Sequence, residues 1–140
     1  MTYKRFEELP VWQAAIELAD QIYDLTESPI LKSSLRNQLE RAALSVSNNI
    51  AEGFERGTTN ELLAFLYIAR GSSGETRSML RFIGHRKDYG PLQSQLPPLV
   101  ALAEGCSRQI QAWAGSLQNS AIKGQRHRAR PPARDLKSKI

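Results

Sequence analysis

The sequence has few of the residues on which metal sites and disulfides depend. Its 140 residues include one cysteine and two histidines, so no internal disulfide can form, which is typical of a reducing compartment. His85 and His127 have no partner at metal-ligand spacing. No apolar run approaches the roughly 20 residues of a membrane span, and the charged first twenty residues lack the apolar core of a secretory signal. We expect a cytoplasmic protein that holds no metal.

The motifs of common enzyme classes are also missing. The chain has no nucleophile elbow, no phosphate-binding glycine loop and no Glu-x-x-His pair of the di-iron bundle type. Cys106 lies within an apolar helical pattern, which favours a small buried hydrophobe over a reactive thiol. The sequence therefore predicts no catalytic residues and no cofactor, and we expect that the protein is not an enzyme.

Positive charge is concentrated at one end of the chain. Residues 121–140 hold seven basic residues and one acidic residue, whereas residues 1–120 hold 12 basic and 13 acidic residues. The segment 121–140, here called the basic tail, has too few apolar residues to bury a core. We predict that it is disordered and either aids solubility or binds nucleic acid as a basic arm. Its candidate contacts are Lys123, Arg126, Arg128 and Arg130.

Apolar residues recur at helical spacing in four segments of the domain at residues 1–120. They predict helices over about residues 10–27, 33–54, 59–86 and 96–118, with Pro10 and Pro97 in first turns. Thr58 and Glu61 have the spacing of a capping box, and Gly53 and Gly57 bracket a helix end that a left-handed residue can close. Asp88–Pro91 is predicted to be a turn and residues 92–95 a loop or single turn. Short connections between four amphipathic helices favour an all-α, antiparallel up-down four-helix bundle.

The apolar stripes give a predicted core. The first helix is expected to bury Trp12, Ile16, Ala19 and Tyr23, with Ala15 and Ile22 beside them. The second is expected to bury Leu35, Leu39, Ala42, Val46 and Ile50. The third has Leu62, Phe65, Leu66, Ala69, Thr76, Met79, Leu80 and Ile83, and the fourth has Leu99, Ala103, Cys106, Ile110, Trp113 and Leu117. Apolar residues outside these stripes, at Val11, Leu63 and Tyr67, favour a subunit interface over scattered surface residues.

A polar line runs along the second helix beside its apolar stripe. It consists of Gln38, Arg41, Ser45, Asn49 and Glu52. One interpretation is a polar contact surface. The other, which we favour, is an internal network of Arg41, Asn49, Glu52 and Glu75, in which Glu52 or Glu75 pairs with an arginine of a neighbouring helix and fixes the helix register.

Arginines form a second line along the third helix. Arg70, Gly74, Arg77 and Arg81 are spaced so that they share one side of about three turns, and Arg86 and Lys87 extend the charge past the helix end. Guanidinium groups match phosphate oxygens bidentately, so the line is a candidate nucleic-acid contact. The alternative is a solvated face, or salt bridges to Glu40, Glu52 or Glu104.

Several short motifs, in this order and spacing, resemble a known bacterial family. They are Phe6-Glu-Glu-Leu-Pro-Val-Trp12-Gln, Ile22-Tyr-Asp-Leu-Thr26, Gln38-Leu-Glu-Arg41-Ala-Ala-Leu-Ser45-Val, Asn49-Ile-Ala-Glu-Gly53-Phe, Phe65-Leu-Tyr-Ile-Ala-Arg70-Gly-Ser and Glu75. Over about residues 5–90 the chain resembles the four-helix-bundle 23S rRNA intervening-sequence proteins, which are similar to the accessory variability proteins of diversity-generating retroelements. Pro97-Pro98, where the family has a smooth fourth helix, and the basic tail depart from this pattern.

The resemblance implies a ring-like homopentamer without enzymatic activity. In the retroelement branch it implies a basic surface for nucleic acid and a partner reverse transcriptase; in the other branch the gene lies in a 23S rRNA insertion or is free-standing. We therefore expect a non-enzymatic, oligomeric accessory protein that binds RNA or DNA through phosphate contacts, with RNA favoured. The alternative is an adaptor bundle that binds protein partners and no nucleic acid.

Overall fold

A computed structural model describes residues 3–119, which form four α-helices and no β-strand. The helices are α1 (Pro10–Thr26), α2 (Ser33–Glu55), α3 (Thr59–His85) and α4 (Leu96–Gln118). Each begins where the sequence predicts and ends within one residue of the predicted position. Their mutual contacts are those of a four-helix bundle: α2 packs on α1 and α3, and α4 packs on α3 and α1. The basic tail, with its predicted disorder, lies outside the described residues.

Local sequence signals explain three of the helix starts. Pro10 and Pro97 occupy first turns, where a missing N–H leaves no hydrogen bond unmade. The Thr58 hydroxyl accepts a hydrogen bond from the Glu61 backbone N–H at 3.1 Å and donates to the Glu61 carboxylate at 3.0 Å. Of the two hydrogen bonds of the predicted capping box, the one accepted by the Thr58 hydroxyl is present. The Glu61 carboxylate accepts from the Thr58 hydroxyl instead of from the Thr58 backbone N–H.

Gly53 serves a different purpose from the one predicted. No residue between 3 and 119 has a positive φ, so no left-handed glycine closes α2, which ends in the extended backbone of Arg56. Gly53 is instead buried inside α2 against α3. A Cβ atom at this position would lie 2.8 Å from the Phe65 Cβ and 3.3 Å from the Leu62 carbonyl oxygen. Its bare backbone therefore lets the two helices approach closely.

We expect Gly53→Ala to lower the free energy of unfolding by about 2 kcal/mol, because the new methyl group meets atoms close to the α3 backbone that cannot move aside. Gly71 in α3 is the matched control, since a Cβ there meets nothing within 4 Å. Gly71→Ala should raise stability by roughly 0.5–1 kcal/mol through helix propensity. Urea unfolding measures both changes. Equal shifts of the two midpoints would contradict the close approach.

The predicted core stripes of α2, α3 and α4 lie inside the bundle, with Leu35, Phe65, Met79 and Trp113 half-buried at its edge. The predicted stripe of α1 is wrong at two positions. Ile16 and Tyr23 are 37% and 42% exposed. The helix instead turns a neighbouring line toward the core, which consists of Val11, Ala15, Leu18, Ile22 and Leu25. Both lines have helical spacing, and only the packing of α2 and α4 on α1 decides between them.

Arg36 forms hydrogen bonds that stabilise the connection between α1 and α2. Its Nε donates to the Thr26 carbonyl at 2.9 Å, and its Nη2 donates to the carbonyls of Ser28 and Leu31 at 3.1 and 3.0 Å. The Thr26 hydroxyl also donates to the Glu40 carboxylate at 2.5 Å. The half-buried guanidinium thereby satisfies three carbonyl groups at and beyond the end of α1.

The segment between α3 and α4 is more regular than predicted. In place of a turn followed by a loop or single turn, Lys87–Gln95 forms 3-10 helical turns that bury Tyr89 and Leu92. The Gln93 side-chain amide holds this segment on α3 by donating to the carbonyls of Ile83 and Tyr89 at 3.1 and 3.3 Å. The start of α4 is thereby fixed beside the end of α3.

Two serines join α3 and α4 inside the bundle. The fully buried Ser73 hydroxyl donates to the Ala103 carbonyl at 2.8 Å and accepts from the Ser107 hydroxyl at 3.1 Å. Hydrogen bonds of this kind are directional, so they fix how far one helix is shifted along the other. None of the helices described here is long and apolar enough to cross a membrane.

Candidate nucleic-acid interface

The arginine line of α3 lies beside α4. The Arg77 Nη1 is 3.1 Å from the Glu104 Oε2 of α4, which orients this side of α3 toward that helix. Arg70 is seven residues before Arg77 and Arg81 is four residues after it, so both share its side of the helix. Arg81 and Glu104 also line one pocket between the two helices.

The guanidinium groups of this line are accessible. Arg70 and Arg81 are exposed and make no ion pair with another residue in the range 3–119. Arg77 is paired, but its side chain remains 44% exposed, and an ion pair at such a surface contributes little to stability. A phosphate could therefore compete with Glu104 for Arg77 at small cost.

A fourth arginine joins the line from α4. Arg108 is exposed and follows Glu104 by four residues, which places it on the same side of α4. We call the surface formed by Arg70, Arg77, Arg81, Glu104 and Arg108 the α3–α4 face. Sequence reasoning missed Arg108 because it is the one basic residue of α4 and forms no basic line within that helix. Only the pairing of Arg77 with Glu104 shows that the two helices contribute to one surface.

Arg86 does not continue this face. It donates from Nε and Nη2 to the two carboxylate oxygens of Asp88 at 3.0 and 3.2 Å, and its hydrogen bond holds the pKa of the Asp88 carboxyl below its usual value. It lines a cleft with Lys32 and Phe82, at the start of α2. Arg86 therefore lies apart from the α3–α4 face, and its contact with nucleic acid stays a prediction. Lys87 is exposed in the 3-10 segment.

Hydroxyl groups join α2 and α3, and of the predicted network of Arg41, Asn49, Glu52 and Glu75 only Asn49 takes part in these hydrogen bonds. The Ser45 and Ser72 hydroxyls are 2.8 Å apart, and the Asn49 amide donates to the Ser45 carbonyl and hydroxyl at 2.8 and 2.9 Å. Glu52 pairs at 3.0 Å with Arg56, the residue directly after α2, and not, as predicted, with an arginine of a neighbouring helix. The geometry of α2 explains this pairing, because residues four apart are neighbours on a helix.

Arg41 and Glu75 line a shallow cleft between α2 and α3, but no ion pair joins them within the described range. On α3, Ile68, Glu75 and Phe82 are spaced by seven residues and so share one side. Ile68 and Phe82 are 52% and 51% exposed. We call this side of α3 the apolar edge. Beside its exposed hydrophobic residues are the Glu75 carboxylate and, across the cleft on α2, the Arg41 guanidinium, neither of which makes an ion pair within residues 3–119.

Comparison with known protein families agrees with the resemblance that the short sequence motifs show. A family model, described as 23S rRNA-intervening sequence protein, matches residues 7–112. The chain belongs to this family. The match includes α1, α2, α3 and most of α4, so every residue of the α3–α4 face lies within it. The basic tail lies beyond it. No curated protein matches the chain.

The remaining candidate groups outside the α3–α4 face are few. Cys106 is buried, and burial raises the pKa of its thiol to about 11, so the nucleophilic thiolate is scarce at neutral pH. No group of three or more histidine, cysteine or acidic side chains in residues 3–119 could hold a metal ion. Lys123, Arg126, Arg128 and Arg130, together with His127, lie outside the described residues.

Proposed function

We propose that this family member is a non-enzymatic, oligomeric accessory protein of the cytoplasm that binds nucleic acid, with RNA favoured, through phosphate contacts. The observation that carries the proposal is the α3–α4 face, where four arginines from two helices share a surface with one carboxylate, Glu104, which pairs with Arg77. Exposed guanidinium groups bind phosphates in bidentate fashion. Membership in a family whose description refers to a 23S rRNA intervening sequence supports an RNA-related role.

The test is a titration of a fluorescently labelled single-stranded RNA at several salt concentrations. Each phosphate contact on a single strand releases about 0.7 counterion, so four contacts give a slope of about −3 for the logarithm of the affinity against the logarithm of salt concentration. The basic tail would make this slope steeper. A full-length variant with Lys123, Arg126, Arg128 and Arg130 replaced by glutamine measures how much of the slope comes from the basic tail. Affinity that is absent, or does not depend on salt, would refute the proposal.

We also propose that several copies associate, and that an up-down bundle assembled as a homopentamer is the active form. The apolar edge of α3 supports this, because half-exposed Ile68 and Phe82 lose contact with water when another copy covers them. The exposed Ile16 and Tyr23 of α1 offer a second, different apolar surface. Two unlike surfaces that fit each other produce a head-to-tail contact, which closes into a ring when the rotation per subunit allows. Light scattering in solution measures the molar mass.

The apolar edge also supports a second function, that of an adaptor which binds protein and no nucleic acid. Under this proposal Ile68 and Phe82 contact a partner such as the reverse transcriptase of a retroelement, and the arginines only make salt bridges. Such a partner would be encoded beside this gene and would copurify with the protein. It would remain bound when salt is raised, since apolar contacts are screened far less than phosphate contacts.

A further inference from the structure

A pocket of about 450 Å³ lies at one end of the α3–α4 face, between the last turns of α3 and the start of α4. Its floor consists of the buried side chains of Leu80, Leu96 and Val100. Arg81 and His85 stand at its rim, and both are exposed. The volume is within the range of sites that bind small organic groups. Arg81 belongs both to this pocket and to the α3–α4 face, so the two surfaces are continuous.

The pocket also contains an oriented hydrogen-bond acceptor. The Gln93 Nε2 donates to the carbonyls of Ile83 and Tyr89, and this fixes which end of the amide carries the oxygen. The Gln93 Oε1 lies 3.8 Å from the position that a Cβ would take on Gly84, so the oxygen borders the pocket beside the bare Gly84 backbone. It receives no hydrogen bond from the residues described here. A ligand with an N–H group could satisfy it.

An apolar floor, one acceptor and two cationic or aromatic groups at the rim match the chemistry of a nucleotide. The flat apolar part of a base fits the floor, its N–H groups can donate to Gln93, and the His85 imidazole can stack on its ring. Arg81 is then placed for the attached phosphate. The remaining rim charge, Glu104, is compensated by Arg77 at 3.1 Å. A base inside a double helix presents only its edge, so the pocket suits an unpaired base.

We infer that this pocket binds one unpaired nucleobase of an RNA strand whose phosphates lie on the α3–α4 face, an inference that rests on the proposed function. It gives the protein a preference for single-stranded or looped RNA over duplex RNA of equal charge. The preference is for an unpaired base and not for a sequence, because every base has an apolar face and at least one N–H donor.

The test compares two short single strands of equal length, one ordinary RNA and one abasic strand with the same number of phosphates. We expect the ordinary strand to bind about tenfold more tightly, which is the usual effect of one stacked base. Gly84→Leu should fill the pocket and remove this difference without weakening the abasic strand. Leucine is favoured over glycine in a helix, so the variant should fold. Gly71→Leu is the control, because Gly71 is exposed and a Cβ there meets nothing within 4 Å.

Equal affinity for the two strands would refute the binding of a base in the pocket, but it would not affect the proposal that the α3–α4 face binds phosphates. A loss of affinity for both strands in Gly84→Leu, with a normal melting temperature, would likewise show that residue 84 acts on phosphate binding and not on a base. If neither strand binds the unmodified protein, the proposed function fails, and this inference fails with it.

Discussion

Replacing Arg70, Arg77 and Arg81 together by glutamine is expected to lower the affinity for single-stranded RNA about a hundredfold at 0.1 M salt. Each lost phosphate contact forgoes the release of about 0.7 counterion, which at this salt concentration corresponds to roughly a fivefold loss per contact. The slope of affinity against salt should become shallower by about 2. Glutamine keeps most of the side-chain length, so packing along α3 changes little. Fluorescence anisotropy with a labelled strand measures both effects.

A matched variant distinguishes this face from the overall charge of the protein. Lys4, Arg5 and Lys32 are exposed and lie outside both α3 and α4, so replacing them by glutamine removes the same charge from other places. We expect that variant to bind within about threefold of the unmodified protein, since scattered charge acts only through the long-range field, which salt screens. Equal losses in the two triple variants would mean that no defined phosphate site exists on α3.

Arg36→Ala is expected to lower the free energy of unfolding by about 3 kcal/mol. The substitution leaves the carbonyls of Thr26, Ser28 and Leu31 without their shared donor, and hydrogen bonds to a charged group contribute more than neutral ones. Because the Arg36 side chain is half-buried, water can replace only some of the hydrogen bonds that these carbonyl groups lose. Urea or thermal unfolding followed by circular dichroism measures the change.

Two further substitutions define the cause of that loss. Arg36→Lys keeps the charge but has a compact ammonium group in place of the planar guanidinium. It should therefore recover less than half of the stability that Arg36→Ala loses. Arg41→Ala on the same helix should change stability by no more than about 0.5 kcal/mol, as exposed positions usually do. If Arg36→Ala and Arg41→Ala unfold at the same urea concentration, the connection between α1 and α2 does not depend on Arg36.

The sequence predicts well what depends on neighbours along the chain. The starts of α1, α3 and α4 follow from Pro10, Thr58 and Pro97, because proline and threonine act on the backbone within one turn. The common side of Arg70, Arg77 and Arg81 follows from helical spacing alone. These features need no knowledge of how the helices pack.

Features that depend on a neighbouring helix could not be predicted in the same way. The α1 segment contains two lines at helical spacing, and the choice of Leu18 over Ile16 for the core is made by α2 and α4. The role of Gly53 depends on Phe65 across the interface, and glycine near a helix end is as typical of a left-handed cap. Arg108 and Gln93 join the candidate site only because α4 begins beside the end of α3.

The Ser73 hydrogen bonds have a consequence for any strand that binds. Sliding α4 by one turn, about 5.4 Å, would break both bonds, leave a buried hydroxyl without a partner and separate Arg77 from Glu104. The backbone positions of the four arginines of the α3–α4 face are therefore fixed relative to one another. A flexible polyanion has to adapt its own spacing to these positions, so the loss of backbone entropy on binding falls on the strand, while the exposed arginine side chains lose only rotamer freedom.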